Sequence, residues 1–195
     1  MFIVQGQELK LDNSSNRFSD EELFQFCQIN ANWRVERDAQ QNIVITPPIA
    51  GISGIREKDL NFELERWRRR HGKGMTFSSS TGFLLPNGAM RSPDASYMNP
   101  ERYDALTPGD LQKFVPAVPH FIAEIRSPSD HMKDLKEKMV EWIQNGVQLG
   151  WLIDAEGKQV TVYRHGREAQ TIDGLHQTLS GESVLPGFEF NLGQF

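Results

Sequence analysis

The sequence predicts a single α/β (α+β) domain over residues 1–195, and three observations lead there. The chain has 195 residues, 38% hydrophobic and 24% charged, which suits one ordinary globular domain with a full core. Amphipathic stretches of helical period stand on both sides of its middle. Between them lie short apolar or alternating runs bounded by Pro, Gly, Asn and Asp, the punctuation of strands and turns. Helices around a strand-rich middle give an α/β or α+β fold, with an N-terminal helix and β-hairpin.

The elements follow in order. Met1 to Arg17 turns polar after four positions and reads as an arm or short edge strand. Ser19-Asp20-Glu21-Glu22 is a capping box, so a helix runs from Asp20 to about Asn30, with Leu23, Phe24, Phe26 and Cys27 as its apolar side. Trp33–Arg37 and Ile43–Ile45 alternate around a polar loop and predict a hairpin, with Val35 facing one way and Arg34 and Glu36 the other. Pro47-Pro48 stops it. Ile55–Arg70 reads as a helix on the spacing of Leu60, Leu64 and Trp67. It ends in Arg66, Arg68, Arg69, Arg70 and His71 before Gly72, either cations complementing the helix dipole or a phosphate-contacting patch.

Thr76–Ser80 and Phe83–Leu85 read as strands, and Pro86-Asn87-Gly88 as a turn. Met90–Tyr97 resumes extended structure, with Pro93 breaking its ladder and Asp94 beside it. Asn99–Pro119 is loop-like, with room for a short helix. Phe121–Ile125 is an apolar strand interrupted by Glu124, and Ser127–Asp130 suits a helix cap. Met132, Leu135, Met139, Trp142 and Ile143 then form one stripe of a helix that Gly146 ends, with Glu137 and Glu141 facing solvent. Leu149–Ile153 and Gln159–Arg164 are paired strands, followed by a polar loop and an apolar tail.

Composition narrows the function. No apolar run approaches the ~20 residues that span a bilayer, and the N-terminus lacks a signal-peptide pattern. The single cysteine, Cys27, has no partner for a disulfide or CxxC site, which predicts a reducing cytoplasm. The net charge of −5 argues against a general electrostatic grip on nucleic acid, though a metal-holding site is itself acidic. The five histidines are scattered without metal-ligand spacing, and Gly72-Lys73-Gly74 lacks the context of a phosphate loop.

A carboxylate inside an apolar strand is costly unless something pairs with it. Glu124 is such a residue, and Asp94 follows a proline in extended chain thirty positions earlier (124 minus 94). Two carboxylates on adjacent strands can hold a hard divalent cation, with water and phosphate oxygens completing the octahedron. The alternative is that Asp94 caps a turn and Glu124 pairs with a buried arginine. On the following helix Lys136 and Lys138 flank the apolar stripe on opposite sides. Either could reach a site at the strand end to position water or balance phosphoryl charge, but hardly both. The alternative for each is a solvated rim charge.

These residues carry a resemblance. Val35-Glu36 before Asn42–Pro48, Ser92-Pro93-Asp94-Ala95-Ser96-Tyr97, Phe121–Ile125, Ser127-Pro128-Ser129-Asp130, Asp134-Leu135, Glu137-Lys138, Gly146-Val147, Trp151–Asp154 and Leu185-Pro186-Gly187-Phe188 cover nearly the whole chain in order. Together the sequence resembles the Uma-two family of endonuclease-like proteins. That family lies within the restriction-endonuclease-like PD-(D/E)XK nuclease superfamily, whose pattern is Pro-Asp, a gap, then Glu-x-Lys.

The resemblance implies a restriction-endonuclease-like core with a mixed central sheet flanked by helices. It implies Mg²⁺ or Mn²⁺ held by Asp94, Glu124 and the backbone carbonyl of Ile125, with Glu36 close by. The lysine expected two residues after Glu124 is Arg126, which stays protonated and cannot act as a base. In the narrower family that lysine stands on the next helix, where Lys138 matches, so Lys138 joins Asp94 and Glu124 as the catalytic set. Arg126 is then a substrate clamp or an ion-pair partner, and Lys136 a supporting cation.

The implied activity is DNA phosphodiester hydrolysis by metal-activated water, with no membrane association and a homodimer to cut both strands. The rival is a nucleic-acid-binding or scaffold protein that keeps the fold without turnover, motivated by Arg126 and the acidic charge. A third reading is a metal-dependent hydrolase of a smaller phosphodiester.

Overall fold

Among the described residues two six-stranded sheets meet in the segment Met90–Tyr97, whose ladder the sequence breaks at Pro93. The computed structural model describes residues 2–5, 8–12 and 18–195. The first sheet takes β1 (Phe2–Gln5), β2 (Glu8–Leu11), β3 (Arg34–Arg37), β4 (Ile43–Thr46), β6 (Phe83–Leu84) and β7 (Met90–Arg91), in the order β1-β2-β4-β3-β7-β6. The second takes β5 (Met75–Phe77), β8 (Ala95–Met98), β9 (Phe121–Ile125), β10 (Leu149–Asp154), β11 (Gln159–Arg164) and β12 (Gln170–Asp173), in the order β12-β11-β10-β9-β8-β5. Only β9 and β10 run parallel, so this central sheet is mixed, as expected. A small hairpin of β13 (Thr178–Ser180) and β14 (Glu189–Asn191) closes the chain.

Among the described residues four α-helices accompany the sheets: α1 (Asp20–Ile29), α2 (Gly51–His71), α3 (Pro100–Asp104) and α4 (Met132–Gln144). The capping box at Ser19 and Glu22 forms in both directions. Alternation along the central strands divides the core. Phe121, Ala123 and Ile125 of β9 face α2 in a cluster with Leu60, Leu64, Trp67 and the C-terminal hairpin. Ile122 faces the other way, into a cluster with Met139 and Trp142 of α4. A third cluster joins Leu23 of α1 to Val35, Ile43 and Ile45 of the first sheet. Gly150 lets α4 pack closely on β10, where Met139 Cε lies 2.7 Å from the place a Cβ would take.

The break read at Pro93 is present: β7 ends at Arg91 in the first sheet and β8 begins at Ala95 in the second. Several other expectations are corrected. Helix α2 starts at Gly51, four residues before the predicted Ile55; Gly51 and Gly54 are weak helix formers and hide its first turn. Ser127–Asp130 does not cap α4. Asp130 accepts from the Ser127 amide within the turn (2.7 Å), and α4 begins at Met132 behind His131, an N-cap that makes no side-chain bond. Glu141 does not face solvent; it is paired with Arg91 of β7 at 2.6 Å and accepts from Asn87.

Of the N-terminal stretch, the described part forms the β1–β2 hairpin at the edge of the first sheet, while residues 13–17 lie outside the described residues. The tail read as polar loop contains β12 and β13. Three of the α2 arginines are paired within the helix, Arg66 with Glu63 and both Arg68 and Arg69 with Glu65, and Gly72 closes the helix at a φ of 67°. Among the described residues no helix is long and apolar enough to cross a membrane.

Candidate active site

The register of the central sheet brings the two acids together. Ala95 of β8 pairs with Ala123 of β9, so Asp94 lies one step on, opposite Glu124. Ala95 and Tyr97 face α2, which turns the even positions, Asp94 included, toward the side that Glu124 shares with α4. Both carboxylates are buried, at 6% and 3% exposure. They line a cavity of about 590 Å³ between the β3–β4 hairpin, the start of α2 and helix α4.

Each acid is held by named donors. Asp94 Oδ2 accepts from the amide of Ile125 (2.7 Å), and Oδ1 accepts from Arg34 Nη1 (2.9 Å). Arg34 Nη2 also donates to the carbonyl of Ser92 (2.5 Å). Glu124 Oε1 accepts from Lys138 Nζ (2.9 Å) and from the indole Nε1 of Trp142 (3.1 Å). Glu36 Oε1 accepts from the same Lys138 Nζ (2.9 Å) and from the Ser92 amide (3.0 Å), and its Oε2 accepts from Arg91 Nη1 (3.1 Å). Lys138 therefore bridges an acid from each sheet.

The two acids on Lys138 titrate in opposite directions. Burial works to raise Glu36, but Lys138, Arg91 and Arg34 outweigh it and hold the carboxyl down at about 2. Burial also raises Glu124; Lys138 opposes this, Asp94 reinforces it, and the group is pushed up to about 7. Glu124 has fewer cations and more acidic neighbours than Glu36, which is the physical difference. Lys138 loses solvation, yet Glu124 and Glu36 outweigh that loss and keep its ammonium more firmly protonated than usual.

The structure brings four of the sequence-predicted residues into one cluster: Glu36, Asp94, Glu124 and Lys138. Ile125 lines the same cavity. Arg126 turns elsewhere, pairing with Asp154 Oδ2 at 3.0 Å at the end of β10. Lys136 is exposed on the outer side of α4, in a separate groove with Met132 and Val140.

Sequence reasoning missed Arg34, Arg91 and Trp142, which hold the acids, and Glu57 of α2, which lines the cavity and accepts from Ser79 Oγ (2.5 Å). Alternation in the first hairpin put Arg34 and Glu36 on one face and was the available signal for Arg34. Trp142 lay in the apolar stripe, where its N–H demanded a partner once buried.

The donor set can be tested against a divalent cation. Nine carboxylates line the cavity against four Lys and Arg side chains (Lys10, Arg34, Arg91, Lys138), an excess of acid that favours a bound cation. The ligands available at Asp94, Glu124 and the Ile125 carbonyl are all oxygen, the chemistry of Mg²⁺ and Mn²⁺. Among the described residues no three His, Cys, Asp or Glu side chains converge as a metal cage. The residues therefore fit an ion with few protein ligands and several waters.

The comparisons with known proteins agree in kind. The family model described as "Uma2: Putative restriction endonuclease" matches residues 20–193. The crystal structure of "a putative nuclease belonging to DUF820" from Anabaena variabilis ATCC 29413 superposes with a TM-score of 0.68 at 18% identity, covering 82% of this chain and 87% of that one. At that identity the likeness is one of fold: the two chains share the mixed α+β architecture. No curated protein matches the sequence.

Proposed function

Because this chain belongs to the Uma2 family, we propose that it is a Mg²⁺- or Mn²⁺-dependent endonuclease that hydrolyses DNA phosphodiester bonds. The observation that carries the proposal is the ammonium of Lys138, 2.9 Å from both Glu36 and Glu124, with Asp94 opposite Glu124 across the β8–β9 register. A divalent cation held by Asp94, Glu124 and the Ile125 carbonyl would supply Lewis-acid charge at the phosphate and a water of lowered pKa.

The chain's own groups do the positioning. Arg34 and the Ile125 amide fix both oxygens of Asp94. Glu36, held by Arg91 and the Ser92 amide, aims Lys138 at the Glu124 side of the cavity. A lysine kept protonated by two acids donates hydrogen bonds and stabilises charge on the phosphoryl oxygens; it does not serve as the base. Glu124, pushed up to about 7 while no cation is bound, must give up its proton for the cation to bind. Burial of the cluster strengthens each of these interactions.

The proposal includes a homodimer, since two sites related by a two-fold axis address both strands of a duplex. It also includes a cytoplasmic setting, consistent with one cysteine whose thiol is raised to about 11 by burial. The test is cleavage of DNA by the purified protein with Mg²⁺ or Mn²⁺, together with Asp94→Ala and Glu124→Ala. We expect metal-dependent cleavage that both substitutions abolish. Absence of cleavage and of calorimetric Mn²⁺ binding in the wild type would instead favour a scaffold that keeps the fold without turnover.

A further inference from the structure

Helix α2 begins on the wall of the catalytic cavity, and it begins bare. Its N-cap is Ala50, which makes no side-chain cap, and its first turn holds no acidic residue. The first bond back to the cap is from the Gly54 amide to the Ala50 carbonyl (3.1 Å), so the amides of Gly51, Ile52 and Ser53 have no partner within the helix. The chain leading in, Pro47-Pro48-Ile49, lines the cavity without any carboxylate. Such a terminus offers N–H donors and the positive end of the helix dipole to an anion.

A second observation points the same way. Ser53 is 4% exposed, lines the cavity, and its buried hydroxyl has no hydrogen-bond partner. An orphaned buried hydroxyl is unusual and calls for a partner that arrives later. It sits in the third helical position, beside the free amides.

The distance to the proposed reaction centre is short. Ser53, Glu57 and Asn61 stand one turn apart on one helix face, and Asn61 Nδ2 donates to the Asp94 carbonyl at 2.8 Å. Two turns of helix, roughly 12 Å, therefore separate the bare terminus from the Asp94 backbone. A nucleic-acid strand lying in the cavity covers that span in one or two phosphate steps.

We propose that the α2 N-terminus, through the amides of Gly51–Ser53 and the Ser53 hydroxyl, binds a non-scissile phosphate of the nucleic-acid strand being cut. This rests on the nuclease reading and adds to it. The acidic cluster holds the reacting phosphate by way of a cation, and the helix terminus holds a neighbouring one directly. The division places a cation-free anion subsite in an otherwise acidic cavity and fixes how the strand lies across it.

Two variants test the inference on the full chain, with a short single-stranded oligodeoxynucleotide as probe and Ca²⁺ in place of Mg²⁺. Gly51→Asp puts a carboxylate at the terminus, where a Cβ meets nothing within 4 Å, and an acid in a first turn suits the helix. We expect its thermal midpoint to hold while oligonucleotide affinity falls about tenfold. Ser53→Ala should weaken binding about threefold. Mn²⁺ affinity should stay within about twofold of wild type in both, because Asp94 and Glu124 are untouched.

Wild-type oligonucleotide affinity in both variants would overturn the subsite. So would competition by inorganic phosphate that Gly51→Asp abolishes while oligonucleotide affinity stays unchanged, since the terminus would then hold only the free ion. If wild type cleaves DNA and the variants bind as tightly, this inference alone fails. If wild type binds no oligonucleotide, the nuclease reading falls with it.

Discussion

Trp142 donates its indole N–H to Glu124 Oε1 at 3.1 Å, sharing that buried oxygen with Lys138. A residue of the apolar stripe thus helps to hold the acid. Trp142→Phe keeps the ring against Phe83 and Met139 but leaves Glu124 with one donor. We expect a loss of about 1–3 kcal/mol in urea unfolding. Mn²⁺ affinity should fall at pH 6, where Glu124 then holds its proton more tightly, and recover at pH 8. Equal loss at both pH values would mean that the indole does not act through Glu124.

Lys138 is the shared counter-charge of two buried acids. Lys138→Met leaves both Glu36 and Glu124 short of a cation, and removing one partner of a buried ionic group costs about 3–5 kcal/mol. We expect that loss in metal-free protein and partial recovery of stability with Mn²⁺. DNA cleavage should remain down by about 100-fold or more even when the ion is present. Full activity in the Mn²⁺-loaded variant would remove Lys138 from the chemistry.

The pH dependence of stability follows from the opposed carboxyls. Glu124 titrates at about 7 in the folded chain against a usual 4.5, so its contribution is complete below pH 4.5 and is lost as pH rises toward 7. Glu36, held at about 2, contributes above pH 4.5 and is lost as pH falls toward 2. Metal-free protein should thus be more stable to urea at pH 5 than at pH 7.5, with Mn²⁺ closing the gap. Glu124→Gln should flatten this limb; if the variant declines as steeply as wild type, another group is responsible.

Arg126 pairs with Asp154, away from the cavity. The pair is partly exposed, so Arg126→Ala should cost about 1 kcal/mol. We expect Mn²⁺ affinity and cleavage to stay within about twofold. A steep fall in cleavage without a matching loss of stability would restore Arg126 as a substrate clamp.

What could be read from the chain depended on the range of each interaction. Capping at Ser19 and Glu22, the β3–β4 alternation and the α4 stripe are local patterns, and the structure follows them. Glu124 stood out as an acid in an apolar strand, whereas spacing left Asp94 a weak partner and Lys136 and Lys138 equal, and the family resemblance selected Asp94 and Lys138. Arg34 and Arg91 reach Asp94 and Glu36 across 60 and 55 positions of sequence, and nothing local in either arginine announces the partner. Glu141 was misread for the same reason: its helix position faces outward until β7 brings Arg91 against it.

The passage of Ser92–Asp94 from one sheet to the other has a consequence for the order of assembly. Glu36 and Arg34 belong to the first sheet, Glu124 to the second, and the linking residues bond to both, through the Ser92 amide and the Asp94 carboxylate. Neither sheet carries a complete cluster by itself. A partial opening that frees the β3–β4 hairpin would dismantle the cluster while the central strands stay paired, so amide exchange in β3 reports the integrity of the site more directly than exchange in β9.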